Sequence, residues 1–126
     1  MVPIKNSEFL NKAVLSKSLL KEASSKFGFE GCYLFTTEHG KSEFLAETRF
    51  FNPSIGIDED PATGTAAGPL TGYLESLGYA EKKQSYRILQ GAHVRRPSVI
   101  EAEVVDDGIW ISGSSIIVME GIMYLD

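Results

Sequence analysis

The sequence predicts an α+β fold in which a mainly antiparallel sheet curls around one central helix that starts near Pro61. Strand-like segments follow one another at short spacing, without the regular alternation of strands and helices that builds a parallel sheet. One long helix interrupts them. Its first two turns carry only small side chains, which is typical of a helix that other backbone surrounds closely. Together these features favour a sheet wrapped around a helix.

The chain opens with an extended segment and two short helices. Residues 2–5 are predicted to be extended, and Ser7 starts a short helical turn. Ser16 is placed to cap a second helix from residue 17 to about residue 26, in which apolar side chains form one stripe. Gly28 is a natural end for that helix. Both helices are therefore expected at the surface.

Strand-like patterns occupy much of the remaining chain. They cover residues 31–37, 43–51, 85–90, 96–105, 109–112 and 115–119. The first two of these read as an antiparallel hairpin. Within it, Arg49 either faces the start of the central helix or pairs with Glu47 or another surface acid, and the residues alone slightly favour the surface pair.

The central helix has clear boundary signals. Asp60 is a good N-cap residue, Pro61 suits the first helical position, and Gly78 is a natural stop. The first N–H groups of a helix have no intrahelical acceptor and lie at the positive end of its dipole. Such groups bind carboxylate or phosphate oxygens where side chains leave room.

The side chains at this helix start do leave room. Thr63, Gly64 and Thr65 are small, and Asp60 supplies a carboxylate beside them. An acidic small molecule could therefore be held by the N–H groups while Asp60 takes part in proton movement. The alternative is that Asp60 only caps the helix and the glycines only permit close packing.

Composition narrows the possible functions. The chain has 126 residues and a net charge of −5, so it is predicted to be one domain, residues 1–126, of a soluble globular protein. Arg95-Arg96 is the only basic cluster of note, which argues against nucleic acid. No apolar run is long enough to span a membrane and no secretion signal is visible, so we expect a cytoplasmic protein. The single cysteine, Cys32, and the two histidines lack metal-ligand spacing, so no metal is expected.

Several runs of residues resemble a known family. They read Arg49-Phe50-Phe51-Asn52-Pro53, Glu59-Asp60-Pro61-Ala62-Thr63-Gly64-Thr65-Ala66 and Gly68-Pro69-Leu70, followed in the same order by Gln90-Gly91, Arg96-Pro97-Ser98 and Ile111-Ser112-Gly113. Together they look like the C-terminal half of the PhzF phenazine-biosynthesis family.

The resemblance implies a fold related to diaminopimelate epimerase, in which two similar lobes each curl a sheet around a central helix and the active site lies between them. Family members of known activity are cofactor-independent isomerases that move a hydrogen on a small carboxylic acid, such as trans-2,3-dihydro-3-hydroxyanthranilate. By position, Asp60 matches the family's active-site aspartate, and Gly64 with Thr65 match the Gly-Ser pair that contacts substrate. Thr65 departs from the commoner Ser, and Arg95 from a usual Gly.

The chain matches only the C-terminal lobe, and no counterpart of the family's N-terminal lobe, with its acid/base glutamate and supporting histidine, is found. Asp58 and Glu59 are candidates to replace that glutamate only because they lie near Asp60 in the sequence. Whether the chain is an enzyme is therefore left open, and three hypotheses remain. Two copies could pair as a homodimer, a separately encoded N-terminal lobe could complete the site, or the chain could be a non-catalytic binding or structural module. Each of the first two predicts a bound small carboxylate and no cofactor.

Overall fold

The computed structural model describes residues 1–38 and 43–125, and it has the predicted α+β class. The helices are α1 (Ser7–Lys12), α2 (Lys17–Phe27) and α3 (Gly64–Ser76), and a short 3-10 turn covers Pro53–Ile55. The strands are β1 (Val2–Pro3), β2 (Cys32–Thr36), β3 (Ala46–Asn52), β4 (Ile57–Asp60), β5 (Ser85–Gln90), β6 (Ser98–Val105) and β7 (Gly108–Ser112). None of the helices in the described ranges is long and apolar enough to cross a membrane.

All seven strands belong to one mostly antiparallel sheet. Its order is β1-β2-β3-β5-β6-β7, and β4 pairs with the far end of β3. The pairs β1/β2 and β3/β5 are parallel, and the others are antiparallel. The predicted hairpin is confirmed by the register of β2 and β3, in which Tyr33 lies opposite Phe50. Residues 39–42, which lie between the two predicted strands, are outside the described residues.

Helix α3 packs against strands from both halves of the sheet. Leu70 and Leu74 contact a buried cluster with Tyr33, Phe35 and Ala46 of β2 and β3. Ala67, three residues before Leu70, belongs to a second cluster with side chains from β5 and β6. A flat sheet could not place all of these strands against one helix, so the sheet curls around α3 as expected.

The two N-terminal helices cover the opposite face of β2 and β3. Leu10 of α1 is fully buried against Leu34 and Phe51. Helix α2 ends at Gly28, which adopts the left-handed conformation with φ of 67°. Since side chains alternate between the two faces of a strand, β3 separates the inner core around α3 from this outer cluster.

The small residues of α3 allow β7 to approach closely. An added Cβ at Gly72 would lie 3.0 Å from Cδ1 of Ile109, and one at Gly64 would lie 3.3 Å from Cγ2 of Ile111. Gly68 also faces Ile111. These glycines recur every four residues and therefore share one face of the helix. The expectation that other backbone surrounds this helix is confirmed.

Three local expectations differ from the structure. Helix α3 begins at Gly64 and not at Pro61, because Asp60 is the last residue of β4, a strand that was not predicted, and pairs with Phe50. Its N-cap residue is Thr63, so the assignment of Asp60 as the N-cap was wrong. The strand expected at residues 115–119 was also wrong. Strand β7 is the sheet edge, and nothing in the described chain pairs beyond it.

Gly91 lies where two backbone segments cross. Its φ is +80°, and an added Cβ would lie 2.3 Å from the carbonyl oxygen of Arg96 and 2.6 Å from that of Pro61. Real Cβ atoms do not approach backbone so closely, so only glycine fits. Gly78 has the same φ of +80° but no atom within 4 Å of an added Cβ.

We expect Gly91→Ala to lower the free energy of unfolding by at least about 3 kcal/mol, because backbone must move in addition to the strain of a positive φ. The matched control is Gly78→Ala, which should cost only about 1–2 kcal/mol from the conformation itself. Urea denaturation of both variants measures the difference. Equal losses would show that the crossing at Gly91 is not tightly packed.

Candidate functional site

The candidate site lies at the connection between β4 and α3. Asp60 ends β4, and Thr63 is the N-cap residue of the helix. The Thr63 hydroxyl donates to Oδ2 of Asp60 at 2.6 Å. Thr63 is only 7% exposed, so this bond is shielded from water. The carboxylate of Asp60 is thereby held in place beside the first turn of the helix.

A buried glutamine fixes this turn to the sheet. Gln90, at the end of β5, is 1% exposed. Its Nε2 donates to the carbonyl oxygen of Asp60 at 2.8 Å and to the Thr63 hydroxyl at 2.9 Å. Its Oε1 accepts a longer bond from the Thr63 backbone N–H at 3.4 Å. One amide thus holds both ends of the connection between strand and helix.

Two further hydroxyls complete the buried network. The Tyr33 hydroxyl lies 3.1 Å from Oε1 of Gln90 and 3.1 Å from Oγ1 of Thr48. The Thr48 hydroxyl donates to the carbonyl oxygen of Leu89. Burial raises the pKa of Tyr33 to about 12, the bond with Thr48 opposes that rise, and the negative charge of Asp60 adds to it. The charge of Asp60 therefore acts on the Tyr33 hydroxyl, which belongs to β2.

The first N–H groups of α3 lie three residues later in the chain than the sequence predicted, because the helix begins at Gly64 and not at Pro61. Ala66 and Ala67 both donate to the carbonyl oxygen of Thr63, at 3.1 and 3.0 Å. Gly64 and Thr65 precede them, and their N–H groups have no intrahelical acceptor, as at the start of any helix. Thr65 is exposed and Gly64 is half-buried. These two groups remain available to an anion.

A cavity of about 630 Å³ opens beside this helix start. Ala62 and Gly64 form one wall, and β6 and the end of β7 form the others. Arg87, Glu101 and Ser112 bring a cation, a carboxylate and a hydroxyl to the lining. The cavity is therefore polar at several points and has the positive end of a helix dipole at one side.

Of the four predicted site residues, only Gly64 lines this cavity. Asp60, Thr63 and Thr65 are not among the lining residues, although Thr63 is bonded to Asp60. Because the Thr63 hydroxyl already donates to Asp60 and accepts from Gln90, its contribution here is to position the carboxylate. Within residues 1–38 and 43–125, the Thr65 hydroxyl forms no side-chain hydrogen bond.

Neither acid suggested as a replacement for the missing glutamate is free. The Arg49 guanidinium bonds both carboxylate oxygens of Glu59, at 3.0 and 2.8 Å, and both side chains are about nine-tenths buried. Arg49 also donates to the carbonyl oxygens of Leu10 and Ala13. Its partner is therefore an acid, as favoured, but the pair is buried and not on the surface. Asp58 forms an exposed ion pair with Lys17 at 2.6 Å.

The structural importance of Gln90, Tyr33 and Thr48 was not predicted from the sequence. The available sequence signal was a polar residue, Gln90, that follows the apolar pair Ile88-Leu89 and precedes a glycine. In the structure that glycine has a positive φ. Nothing in the local sequence marked Arg87 and Glu101 as cavity residues, because charged residues are common at solvent-facing positions of a strand. In residues 1–38 and 43–125, no group of three or more His, Cys, Asp or Glu side chains could hold a metal ion.

We expect Gln90→Leu to lower the free energy of unfolding by about 2–4 kcal/mol, since the Asp60 carbonyl, the Thr63 groups and the Tyr33 hydroxyl lose a buried partner. Gln84→Leu is the matched control, because Gln84 is exposed and its bonds are to exposed groups. It should change stability by no more than about 0.5 kcal/mol. Chemical denaturation measures both, and similar small losses would contradict a central role for Gln90.

Tyr33 should make stability fall at high pH. Its folded-state pKa of about 12 exceeds the ordinary value of 10, so the folded state favours the neutral phenol. The stabilisation is complete below about pH 10 and is lost as the pH rises through about 12, a change of about 2–3 kcal/mol.

Denaturation at pH 8 to 12 should therefore show a steeper decline for the wild-type chain than for Tyr33→Phe. Tyr124→Phe is the control, because Tyr124 is 87% exposed. Parallel declines for the wild type and Tyr33→Phe would contradict the raised pKa.

Comparison with known proteins places this geometry in a family. The family described as phenazine biosynthesis-like protein, PhzC-PhzF, matches residues 1–121. The chain is 33% identical to an uncharacterized isomerase of Clostridium acetobutylicum over 134 aligned positions, covering 100% of this chain and 44% of that protein. It is 47% identical over 55 residues to a trans-2,3-dihydro-3-hydroxyanthranilate isomerase of Pseudomonas chlororaphis, covering 44% of this chain and 20% of that protein.

Solved structures agree on the fold. A PhzC/PhzF protein from Clostridium difficile superposes with a TM-score of 0.75 at 22% identity, covering 98% of this chain and 43% of that one. A PhzF-family protein from Enterococcus faecalis gives a TM-score of 0.68 at 21% identity, covering 98% and 43%. The chain thus spans less than half the length of these relatives. With the match extending over residues 1–121, the chain belongs to the PhzC-PhzF family of phenazine biosynthesis-like proteins.

Proposed function

We propose that this chain binds a small carboxylate at the N-terminus of α3, as one half of an isomerase-type site in the cytoplasm. The observation that carries the proposal is the cavity of about 630 Å³ that has Gly64, the first residue of α3, in its wall. A helix of this length presents unpaired N–H groups and positive potential at that point. Among anions we favour a carboxylate, because the Pseudomonas relative is named as an isomerase of a hydroxyanthranilate, which is a carboxylic acid.

The polar groups of the cavity suggest how such a ligand would lie. Its carboxylate would accept from the N–H groups of Gly64 and Thr65, with the Thr65 hydroxyl as a further donor. The carboxylate of Glu101 on the facing strand would repel that end of the ligand and favour a hydroxyl or amino substituent. The ligand would then be a small acid with a polar group on its ring or chain.

Asp60 does not line the cavity, but it ends β4 three residues before the N-cap of α3, and we assign it the proton chemistry of this ligand. The Thr63 hydroxyl donates to Oδ2 of Asp60, which orients the carboxylate, and within residues 1–38 and 43–125 its other oxygen accepts no hydrogen bond. The Gln90 amide fixes the backbone on which it sits. A positioned carboxylate of this kind suits proton transfer to or from a carbon acid or its conjugate base. Hydrogen transfer of the isomerase type also needs a second acid or base on the other side of the ligand.

That second group would come from a partner. Glu59 and Asp58 are both held in ion pairs, so neither is free to replace the family glutamate. The partner would be a second copy of this chain or a separately encoded N-terminal lobe, with the ligand enclosed between them. Binding without turnover, as a non-catalytic module, is the outcome if no partner supplies the second group.

The Pseudomonas relative supplies a suitable probe through its name. We expect 3-hydroxyanthranilate, a stable aromatic acid with the same ring substituents as the substrate in that name, to shift the backbone amide NMR signals of Gly64 and Thr65 on titration. The methyl ester of the same compound lacks the carboxylate charge and should shift them far less. This measurement is practical for a chain of 13.8 kDa.

Gly64→Pro gives the decisive variant. Proline is well tolerated at the first helical position and removes one N–H donor, so affinity should fall about 10-fold or more, the value of one charge-assisted hydrogen bond. The matched control is Gly64→Ala, which adds a Cβ but keeps the N–H and should stay within a few-fold of the wild type. If the acid causes no shifts at the start of α3, or if both variants bind equally, the proposed site is wrong.

A further inference from the structure

Two oppositely charged side chains of the cavity wall sit on neighbouring strands and do not pair with each other. Arg87 of β5 lies directly opposite Glu101 of β6 in the antiparallel register, and both line the cavity beside Gly64. Opposite charges at such cross-strand positions are close enough to attract one another. The Arg87 guanidinium nevertheless bonds a different acid, so the two charges of the cavity wall are used separately.

Arg87 is held by the segment that precedes β3. Its Nη1 donates to Oε2 of Glu43 at 2.6 Å, and its guanidinium carbon lies 5.0 Å from the centre of the Phe44 ring. The backbone supports this arrangement, because the Leu45 N–H donates to the carbonyl oxygen of Arg87 at 2.8 Å. A planar guanidinium gains from a carboxylate and from a ring face at the same time. The cation is therefore engaged by residues before β3 and not by Glu101.

Glu101 keeps its negative charge unpaired. Among residues 1–38 and 43–125, no lysine, arginine or histidine forms an ion pair with it. In the same part of the chain its carboxylate accepts one hydrogen bond, from the Ser112 hydroxyl at the long distance of 3.4 Å. The cavity thus has the positive end of α3 on one side and an unpaired carboxylate on another.

We propose that Glu101 is the specificity-determining residue of the cavity, and that it selects a ligand with a positively charged amino group as well as a carboxylate. Glu43 acts with it as a positioning residue, because it keeps the Arg87 guanidinium from neutralising Glu101. This inference rests on the proposed function and narrows its ligand from a polar acid to a small zwitterion.

The spacing of the two binding groups suits a compact ligand. An added Cβ at Gly64 would lie 3.3 Å from Cγ2 of Ile111, so the start of α3 contacts β7 at that residue. Ser112, the next residue, lies opposite Glu101 in the register of β6 and β7. Neighbouring strands lie about 5 Å apart. A six-membered ring with a carboxylate and an amino group on alternate carbons places its two groups a similar distance apart.

Two ring acids that differ in one substituent test this assignment. At neutral pH cis-3-aminocyclohexanecarboxylate carries a protonated amine, and cis-3-hydroxycyclohexanecarboxylate carries a neutral hydroxyl at the same place. We expect both to shift the backbone amide NMR signals of Gly64 and Thr65 on titration, and the amino acid to bind about five-fold more tightly at low ionic strength. Added salt should reduce that preference, because it screens charges near the surface.

Three exposed glutamates provide the variants, so folding should be preserved. Glu101→Gln should abolish the preference, so that the two acids bind equally. The matched control is Glu103→Gln, which makes the same change two residues along β6, outside the cavity lining, and should keep the preference. Glu43→Gln should lower the preference, since Arg87 can then pair with Glu101. The ratio of the two affinities is a readout that a merely structural role would not change.

The outcomes separate this inference from the proposed function. Equal binding of the two acids by the wild-type chain would overturn the inference, as would a preference that survives Glu101→Gln or that Glu103→Gln removes equally. An unchanged preference in Glu43→Gln would overturn the positioning role of Glu43. In each of these cases, shifts at Gly64 and Thr65 would still support the carboxylate site. If neither acid moves those signals, the site and the inference are both wrong.

Discussion

The Gln90 side-chain amide is the interaction on which the geometry of the candidate site depends. Both of its polar atoms are buried and used, and they bond the Asp60 carbonyl, the Thr63 hydroxyl and, at longer distance, the Thr63 N–H. A buried amide with unpaired atoms would be costly, so the strand-to-helix connection is held where those bonds can form. This determines where α3 starts, and with it where the free N–H groups of Gly64 and Thr65 point.

The second constraint is the close approach of the sheet to α3. Glycines on one face of the helix admit Ile109 and Ile111 of β7, while leucines on other faces fill the space towards β2 and β3. A bulkier helix would push β7 outward and open the sheet. The small residues therefore serve packing along most of the helix, and the same lack of bulk at its first turn exposes backbone donors to the cavity. Gly64 belongs to both, because an added Cβ there would lie 3.3 Å from Ile111 and the residue also lines the cavity.

Local sequence signals predicted an element correctly where that element is determined by contacts between residues close in sequence. Gly28 ends α2, and the β2/β3 hairpin follows from two adjacent apolar strands. Strand β4 could not be predicted, because Ile57-Asp58-Glu59-Asp60 has no apolar alternation and is held by its pairing with β3 and by the buried bond between Arg49 and Glu59. The helix start was misplaced for the same reason. Asp60 and Thr63 are both acceptable N-cap residues, and the choice between them is made by Gln90, far away in sequence. For the candidate site, the sequence predicted the Asp60 to Thr65 turn, of which Gly64 lines the cavity, but it could not indicate which strands would form the other walls.

The strand expected at residues 115–119 was wrong for a different reason, which is the lack of a pairing strand in the described chain. Residues 115–119 have strand-like composition, yet a strand requires a neighbour for its backbone groups, and the described chain offers none beyond β7. The apolar side chains at positions 116–119 are also exposed to water, and residues 112–114 of the cavity wall are covalently continuous with them. Any surface that covered these side chains would also restrain that wall, so the order it imposed on residues 112–114 would not have to be supplied again by a ligand.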